Sequence, residues 1–183
     1  MPKLGKTFTV KFQVKPKKFR TDKKMTSILH LTSTDKKGGF NNKGDCLPCL
    51  MFLGSTSTEK KTLFICTAVP QGCFSYPNVP RSKWTDIEIT QRSVGSSGKY
   101  KFEIKINGKV IGSSDESRPG APQFAREFTN VKVYASNPWM DNAEGQIQKL
   151  SIDPTEARSE KPKGPPAGTF PYSPSILRPA NHP

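Results

Sequence analysis

The 183-residue sequence is poor in acid and in histidine, and helix signals are missing from it. It carries 15 Asp and Glu against 29 Lys and Arg, a formal net charge of +14. Such an excess favours polyanionic partners: sulfated glycan, nucleic acid or anionic lipid head groups. There are two His, and no P-loop, GxGxxG, GxSxG or HExxH string occurs. Nothing therefore supports a nucleotide cofactor, a hydrolase triad or a zinc protease, and no cofactor is expected. No run approaches the roughly 18 apolar residues of a membrane-spanning helix. The basic start MPKLGKTFTV has no apolar core, so no signal peptide is read there. No 3.6-residue apolar stripe with caps is present, which argues against helices longer than a turn.

What is present alternates with a period of two. In FTVKFQV, Phe8, Val10, Phe12 and Val14 share one face, and Pro16 is expected to end or edge that strand. SILHLTS (27–33), the apolar run from Cys49 to 55, TLFICTAV (62–69) and WTDIEIT (84–90) read as further strands. In the last, Thr85, Ile87 and Ile89 share one face, and Trp84, Asp86, Glu88 and Thr90 the other. KYKFEIKI (99–106) points Tyr100, Phe102, Ile104 and Ile106 inward, and Lys99, Lys101, Glu103 and Lys105 outward. Asn107-Gly108 follows as a tight hairpin turn. FTNVKVYAS (128–136) and GQIQKLSI (145–152) complete the set.

Segments 34–45, 92–98 and 112–126 read as surface loops, from their Gly, Ser, Asp and Pro content. Eight or nine strands so punctuated predict an all-β chain, an antiparallel two-sheet jelly-roll sandwich. After Ile152 the pattern stops. Residues 153–183 hold eight Pro, and the expected division is a β-sandwich domain at 1–152 followed by a Pro-rich flexible tail at 153–183.

The charge is uneven. Lys3, Lys6, Lys11, Lys15, Lys17, Lys18, Arg20, Lys23 and Lys24 stand against Asp22 alone in the first 24 residues. The Lys15, Lys17, Lys18, Arg20, Lys23 and Lys24 stretch is a candidate polyanion-binding strip. Its competing reading is a solvated, solubilising face. Lys outnumbers Arg, and Arg is the residue suited to bidentate base reading, so nucleic acid is the less favoured polyanion.

The ordered set W84-T-D-I-E-I, Y100-K-F-E-I-K-I-N-G, V131-K-V-Y-A-S-N-P-W and G145-Q-I-Q-K-L-S-I resembles the concanavalin A-like jelly-roll superfamily, with its laminin-G-like, pentraxin-like and galectin-like modules. The stretch V-K-V-Y-A-S-N-P-W is also similar to extracellular jelly-roll modules of invertebrate animals. The resemblance implies a two-sheet sandwich with its ligand surface on the concave face, and an extracellular location. On that face it places Trp84, Asp86, Glu88, Lys101, Glu103 and Lys105, with Trp139 added from a turn-like segment. Trp84 as sheet cover, and Trp139 as a plug over one end of the sandwich, are the competing structural readings. The implied function is a non-enzymatic lectin-like module for glycan, sulfated polysaccharide or a matrix protein.

Two alternatives share the fold. One is a structural or assembly protein contacting polyanions. The other is a polysaccharide-cleaving enzyme. Related glycoside hydrolases use Glu-x-Asp-x-Glu on one strand, but Trp84 stands where the first Glu would be, which removes the nucleophile. Galectin-type sugar binding is not supported: no Asn-Pro-Arg follows His30, which reads as a strand residue. The loop acids Asp35, Asp45, Asp115, Glu116, Asp141 and Glu144 read as solvated rather than as calcium ligands, and no metal site is expected.

Cys46, Cys49, Cys66 and Cys73 leave three readings: two disulfides, free thiols or a four-thiolate zinc site. The even count and the resemblance to extracellular modules favour disulfides. Cys66–Cys73, across a short loop, is the first pairing to test.

Overall fold

The computed structural model describes residues 3–22, 24–34, 44–53, 60–68, 70–137 and 139–154. Residues 155–183 of the predicted tail, Lys23 and the remainder of loop 34–45 lie outside these, and the strand that ends the sandwich runs one residue into the predicted tail, to Asp153. Where apolar residues recur at every second position, the described chain is extended. It forms β1 (Lys3–Leu4), β2 (Phe8–Lys18), β3 (Thr26–Thr32), β4 (Cys49–Phe52), β5 (Lys60–Ala68), β6 (Gln71–Pro80), β7 (Thr85–Val94), β8 (Lys99–Ile106), β9 (Lys109–Asp115), β10 (Phe128–Thr129), β11 (Lys132–Tyr134) and β12 (Glu144–Asp153). No helix occurs among the described residues, and so none that is long and apolar enough to cross a membrane.

Two antiparallel sheets form the sandwich. The first runs β11-β3-β4-β5-β6 and the second β12-β2-β7-β8-β9, with β1 and β10 as a short extra pair. The core lies between them. Phe8, Val10, Phe12 and Val14 of β2, Ile87 and Ile89 of β7, and Phe102, Ile104 and Ile106 of β8 meet Leu29 and Leu31 of β3, Leu50 and Phe52 of β4, and Leu63 and Ile65 of β5 in one cluster. This is the alternation predicted from the sequence. The all-β jelly-roll architecture follows from its burial on two facing sheets. At the β6–β9 edge Phe74 lies over Gly112, where a Cβ would fall inside the Phe74 ring, and 6.3 Å from the Phe102 centroid.

Several boundaries differ from expectation for local physical reasons. Pro16 does not end β2. It sits opposite Gly145 at a bulge in the β12 pairing, beyond the end of β7, where no ladder donor is required of it. The stretch 128–136 is two strands in different sheets, broken at Asn130, whose φ of 55° is the left-handed region that Asn tolerates. Segment 112–126 is not all loop, because β9 runs to Asp115, and β7 reaches Val94 inside the supposed loop 92–98. Strand β6 was not read at all. Its Gly72, Pro77, Asn78 and Pro80 hide the pattern, and pairing with β5 imposes it. The Asn107-Gly108 turn is as predicted, with φ of 49° and 77°.

The outer face of the first sheet is covered over β3 and β4 rather than wet. Ser27 accepts from Ala143 and donates to Asp141 through its backbone, and its Oγ accepts from the Asn137 amide. Beneath this strap, Cys46, Cys49, Met51 and Cys66 form a second small core with Met25, Phe64 and Met140. Two disulfides, Cys46–Cys49 and Cys66–Cys73, close here. Two of the loop acids read as solvated are instead buried. Glu116 accepts the backbone amides of Tyr100, Phe124 and Ala125, and Asp45 takes the Thr34 hydroxyl. A short carboxylate can replace missing backbone partners in an irregular loop, which composition does not reveal.

Candidate functional site

The uncovered face is the outer side of the second sheet. Side chains there alternate with the core row, so a polar residue at every second position of β2, β7 and β8 is presented together. The register stacks them into cross-strand rungs. Ser151, Lys11, Glu88 and Lys105 form one rung, and Gln148, Gln13 and Asp86 the next. Thr90 faces Glu103, and Arg92 faces Lys101.

Within these rungs each carboxylate is held. Glu88 lies 3.2 Å from Lys11 Nζ and 3.3 Å from Lys105 Nζ. Glu103 lies 3.0 Å from Lys101 Nζ and 3.4 Å from Arg92. Gln13 donates to Asp86 at 2.6 Å and accepts from Gln148 at 2.6 Å. A shallow cleft of about 460 Å³ opens over this ladder, bounded by Lys11, Gln13, Asp86, Glu88, Lys105 and Lys149. Asn107 closes its end: its side chain accepts the Asp86 amide, and its own amide donates to the Asp86 carbonyl.

Partial burial works to raise the Glu88 carboxyl, but hydrogen bonds and charge from Lys11 and Lys105 outweigh it and hold the group below its ordinary 4.5. Glu103 is lowered first by its hydrogen bond from Lys101; burial opposes this, and the Lys101 charge and Arg92 add to the lowering. Both are therefore ionised near neutrality, and a proton donor is not available from them. A lowered folded pKa contributes stability that is complete above 4.5 and is lost as pH falls through the folded value. Glu88→Gln is expected to flatten the acid limb of Tm against pH, measured between about pH 3 and pH 6. These are half-exposed pairs, worth roughly 0–1 kcal/mol each.

Trp84 stands at one end of the ladder, 36% exposed, with Lys15 Nζ 5.0 Å from its ring centroid. Lys17 and Lys18 continue past it, exposed. The Ser82 amide donates to the Pro16 carbonyl at 2.7 Å, which brings the turn carrying Arg81 and Lys83 against this end of β2. Arg20 is engaged instead: it pairs with Asp22 and donates to Asp141 at 2.5 Å. Lys24 is exposed beyond it.

The structure thus brings Trp84, Asp86, Glu88, Lys101, Glu103 and Lys105 to one face and sets Lys15, Lys17 and Lys18 beside Trp84. Trp139 is not with them. It is half-buried over the first sheet, 6.0 Å from the His30 ring and 6.5 Å from Tyr134. His30 itself is buried. Burial lowers its pKa, with the Asp45 charge opposing. Sequence reasoning missed Lys11, Gln13, Gln148 and Lys149 as members of the face. Their outward parity was visible in β2, but the neighbouring strand was not. Arg81 and Lys83 were missed although they adjoin Trp84.

Among the described residues, no group of three or more His, Cys, Asp or Glu is arranged to hold a metal ion. A larger cleft of about 780 Å³, between Tyr100, Val133, Leu150, Ile152 and Pro154, has mainly apolar walls. Lys3, paired with Glu127, and Lys6, over the Tyr100 ring, lie at its rim.

No protein-family model and no curated protein matches the sequence. Solved structures do show likeness. A native heptameric SAP-like pentraxin from Limulus polyphemus has 16% identity and a TM-score of 0.48, over 83% of this chain and 65% of its own. The marine PL7 alginate lyase AlyA1 from Zobellia galactanivorans has 14% identity and a TM-score of 0.48, over 82% and 64%. The botulinum neurotoxin serotype D/C VPI 5993 binding domain has 16% identity and a TM-score of 0.46, over 82% and 33%. The chain spans less than two thirds of each. These likenesses are of fold alone.

Proposed function

We propose that the outer face of the second sheet is the binding surface of a non-enzymatic, lectin-like module for acidic glycan, a sulfated polysaccharide or glycan-bearing matrix partner, outside the cell. The observation that carries the reading is the half-exposed Trp84 under Lys15, at the end of a cleft lined by paired polar side chains. A sugar ring has aliphatic faces and a hydroxyl rim. An indole suits the first, while the Asp86, Gln13 and Gln148 row can accept from and donate to the second. An ammonium over the indole meets a sulfate or carboxylate on the same sugar, and Lys17, Lys18 and Lys83 extend that field. The depressed Glu88 and Glu103 carboxyls support a binding role over acid catalysis. The two disulfides and the extracellular-type resemblance support the location.

Retention on a sulfated-polysaccharide column, together with a broad glycan array, tests the reading. Wild type is retained at low salt and released as salt rises, and Trp84→Ala weakens binding roughly five-fold, about 1 kcal/mol. Equal retention of Trp84→Ala, absence of binding to every acidic glycan, or turnover of the polysaccharide would each overturn it.

A further inference from the structure

The cysteines lie outside the ladder and have a function of their own to explain. Register places Cys49 of β4 opposite Cys66 of β5, and Cys66 opposite Cys73 of β6. Directly opposed residues point to the same side of a sheet, so these three form one row. On the far side of Cys49, the same row reaches His30 of β3. The environment changes along it. Cys73 is exposed on β6, an edge strand, whereas Cys66, Cys49 and Cys46 are buried. The Cys46 Sγ lies 3.1 Å from the Cys66 carbonyl oxygen, and the Cys49 Sγ lies 2.8 Å from His30 Nδ1.

We infer that the row is a thiol–disulfide exchange site: an external thiol is taken up at Cys73 and the resulting free thiol is delivered to Cys49. An external thiolate, from a small thiol such as glutathione or from a protein cysteine, attacks the exposed Cys73 sulfur. The Cys66–Cys73 bond breaks, and Cys66 leaves as thiolate. Cys66 then attacks its neighbour Cys46, the Cys46–Cys49 bond breaks, and Cys49 leaves. Its departing sulfur is met by His30, and a group that stabilises the leaving thiolate speeds such exchange. The proton shed by the incoming thiol ends on Cys49. One thiol and two disulfides become one thiol and two disulfides: the mixed disulfide at Cys73, Cys46–Cys66, and the Cys49 thiol. No separate oxidant or reductant is needed. Attack at Cys46–Cys49 from solvent is blocked by burial, which sets the order of the steps.

The test treats the full chain with limiting reduced glutathione, quenches in acid, denatures, labels free thiols with a maleimide and maps peptides by mass. Glutathione is expected on Cys73, at least about ten-fold above Cys46 or Cys49, with maleimide on Cys49 and a Cys46–Cys66 cross-linked peptide. Maleimide on Cys66 with Cys46–Cys49 intact overturns the transfer step. Glutathione on Cys46 or Cys49, or no adduct, overturns the route of attack. The double variant Cys46→Ser, Cys49→Ser isolates the first step: glutathione on Cys73 with maleimide on Cys66 supports it, and glutathione on Cys66 or no adduct refutes it.

Discussion

Phe102→Ala is expected to lower the unfolding free energy by about 3–5 kcal/mol. Phe102 is buried at the centre of β8 between Gln91 of β7 and Ser114 of β9, and its ring meets Phe74 across the β6–β9 edge. Phe74 in turn covers Gly112. Truncation therefore empties a space bounded by both sheets, and Phe74 can fill it only by leaving Gly112. Chemical denaturation with an unchanged m-value is the measurement. A loss below about 1 kcal/mol would mean that the two sheets do not share one core at this edge.

Reversing three charges, Lys15→Glu, Lys17→Glu and Lys18→Glu together, is expected to abolish retention on sulfated polysaccharide at physiological salt. The loss is at least about ten-fold in affinity, with a shallower dependence of binding on salt. The formal charge would fall from +14 to +8, a change of two for each of the three lysines. The decisive factor is position. At this ionic strength charges interact over about 8 Å, so cations elsewhere on the chain do not substitute for these. The fold is expected to persist, because Lys17 and Lys18 are exposed and Lys15 is only partly buried, with its ammonium over the Trp84 ring. An equal reversal at Lys99, Lys109 and Arg126 serves as the control and leaves binding within about two-fold.

The strands with strict alternation were legible in the sequence because the two-residue period is also the geometry of burial. Residues 99–106 show this best: Phe102, Ile104 and Ile106 are in the core as read, and the turn after them has the left-handed angles its Asn-Gly demands. Legibility failed where pairing, rather than side-chain pattern, decides the backbone. β6 is a strand because β5 holds it, and 128–136 divides because Asn130 turns the chain from one sheet to another. The candidate face was half legible. Parity turned Asp86 and Glu88 outward on one strand and Lys101, Glu103 and Lys105 outward on another, and the resemblance implied that the two rows share a face. Their neighbours Lys11, Gln13 and Gln148 depend on strand order, which no local pattern encodes. Trp139 shows the opposite failure. A Trp in a turn-like segment reads as an exposed platform or as a plug, and local pattern does not choose between them; Asn137 and 139–143 lie over β3, and the Trp packs against His30.

The most direct test of the acidic-glycan face is a backbone and indole amide NMR titration with a sulfated oligosaccharide. The expected result is a saturable shift of the Trp84 indole and of amides at 11–18 and 82–90, with the Trp139 indole unmoved. Shifts that centre on Trp139 and β3, or on the apolar cleft at Leu150 and Ile152, would contradict it, as would no shift at low salt.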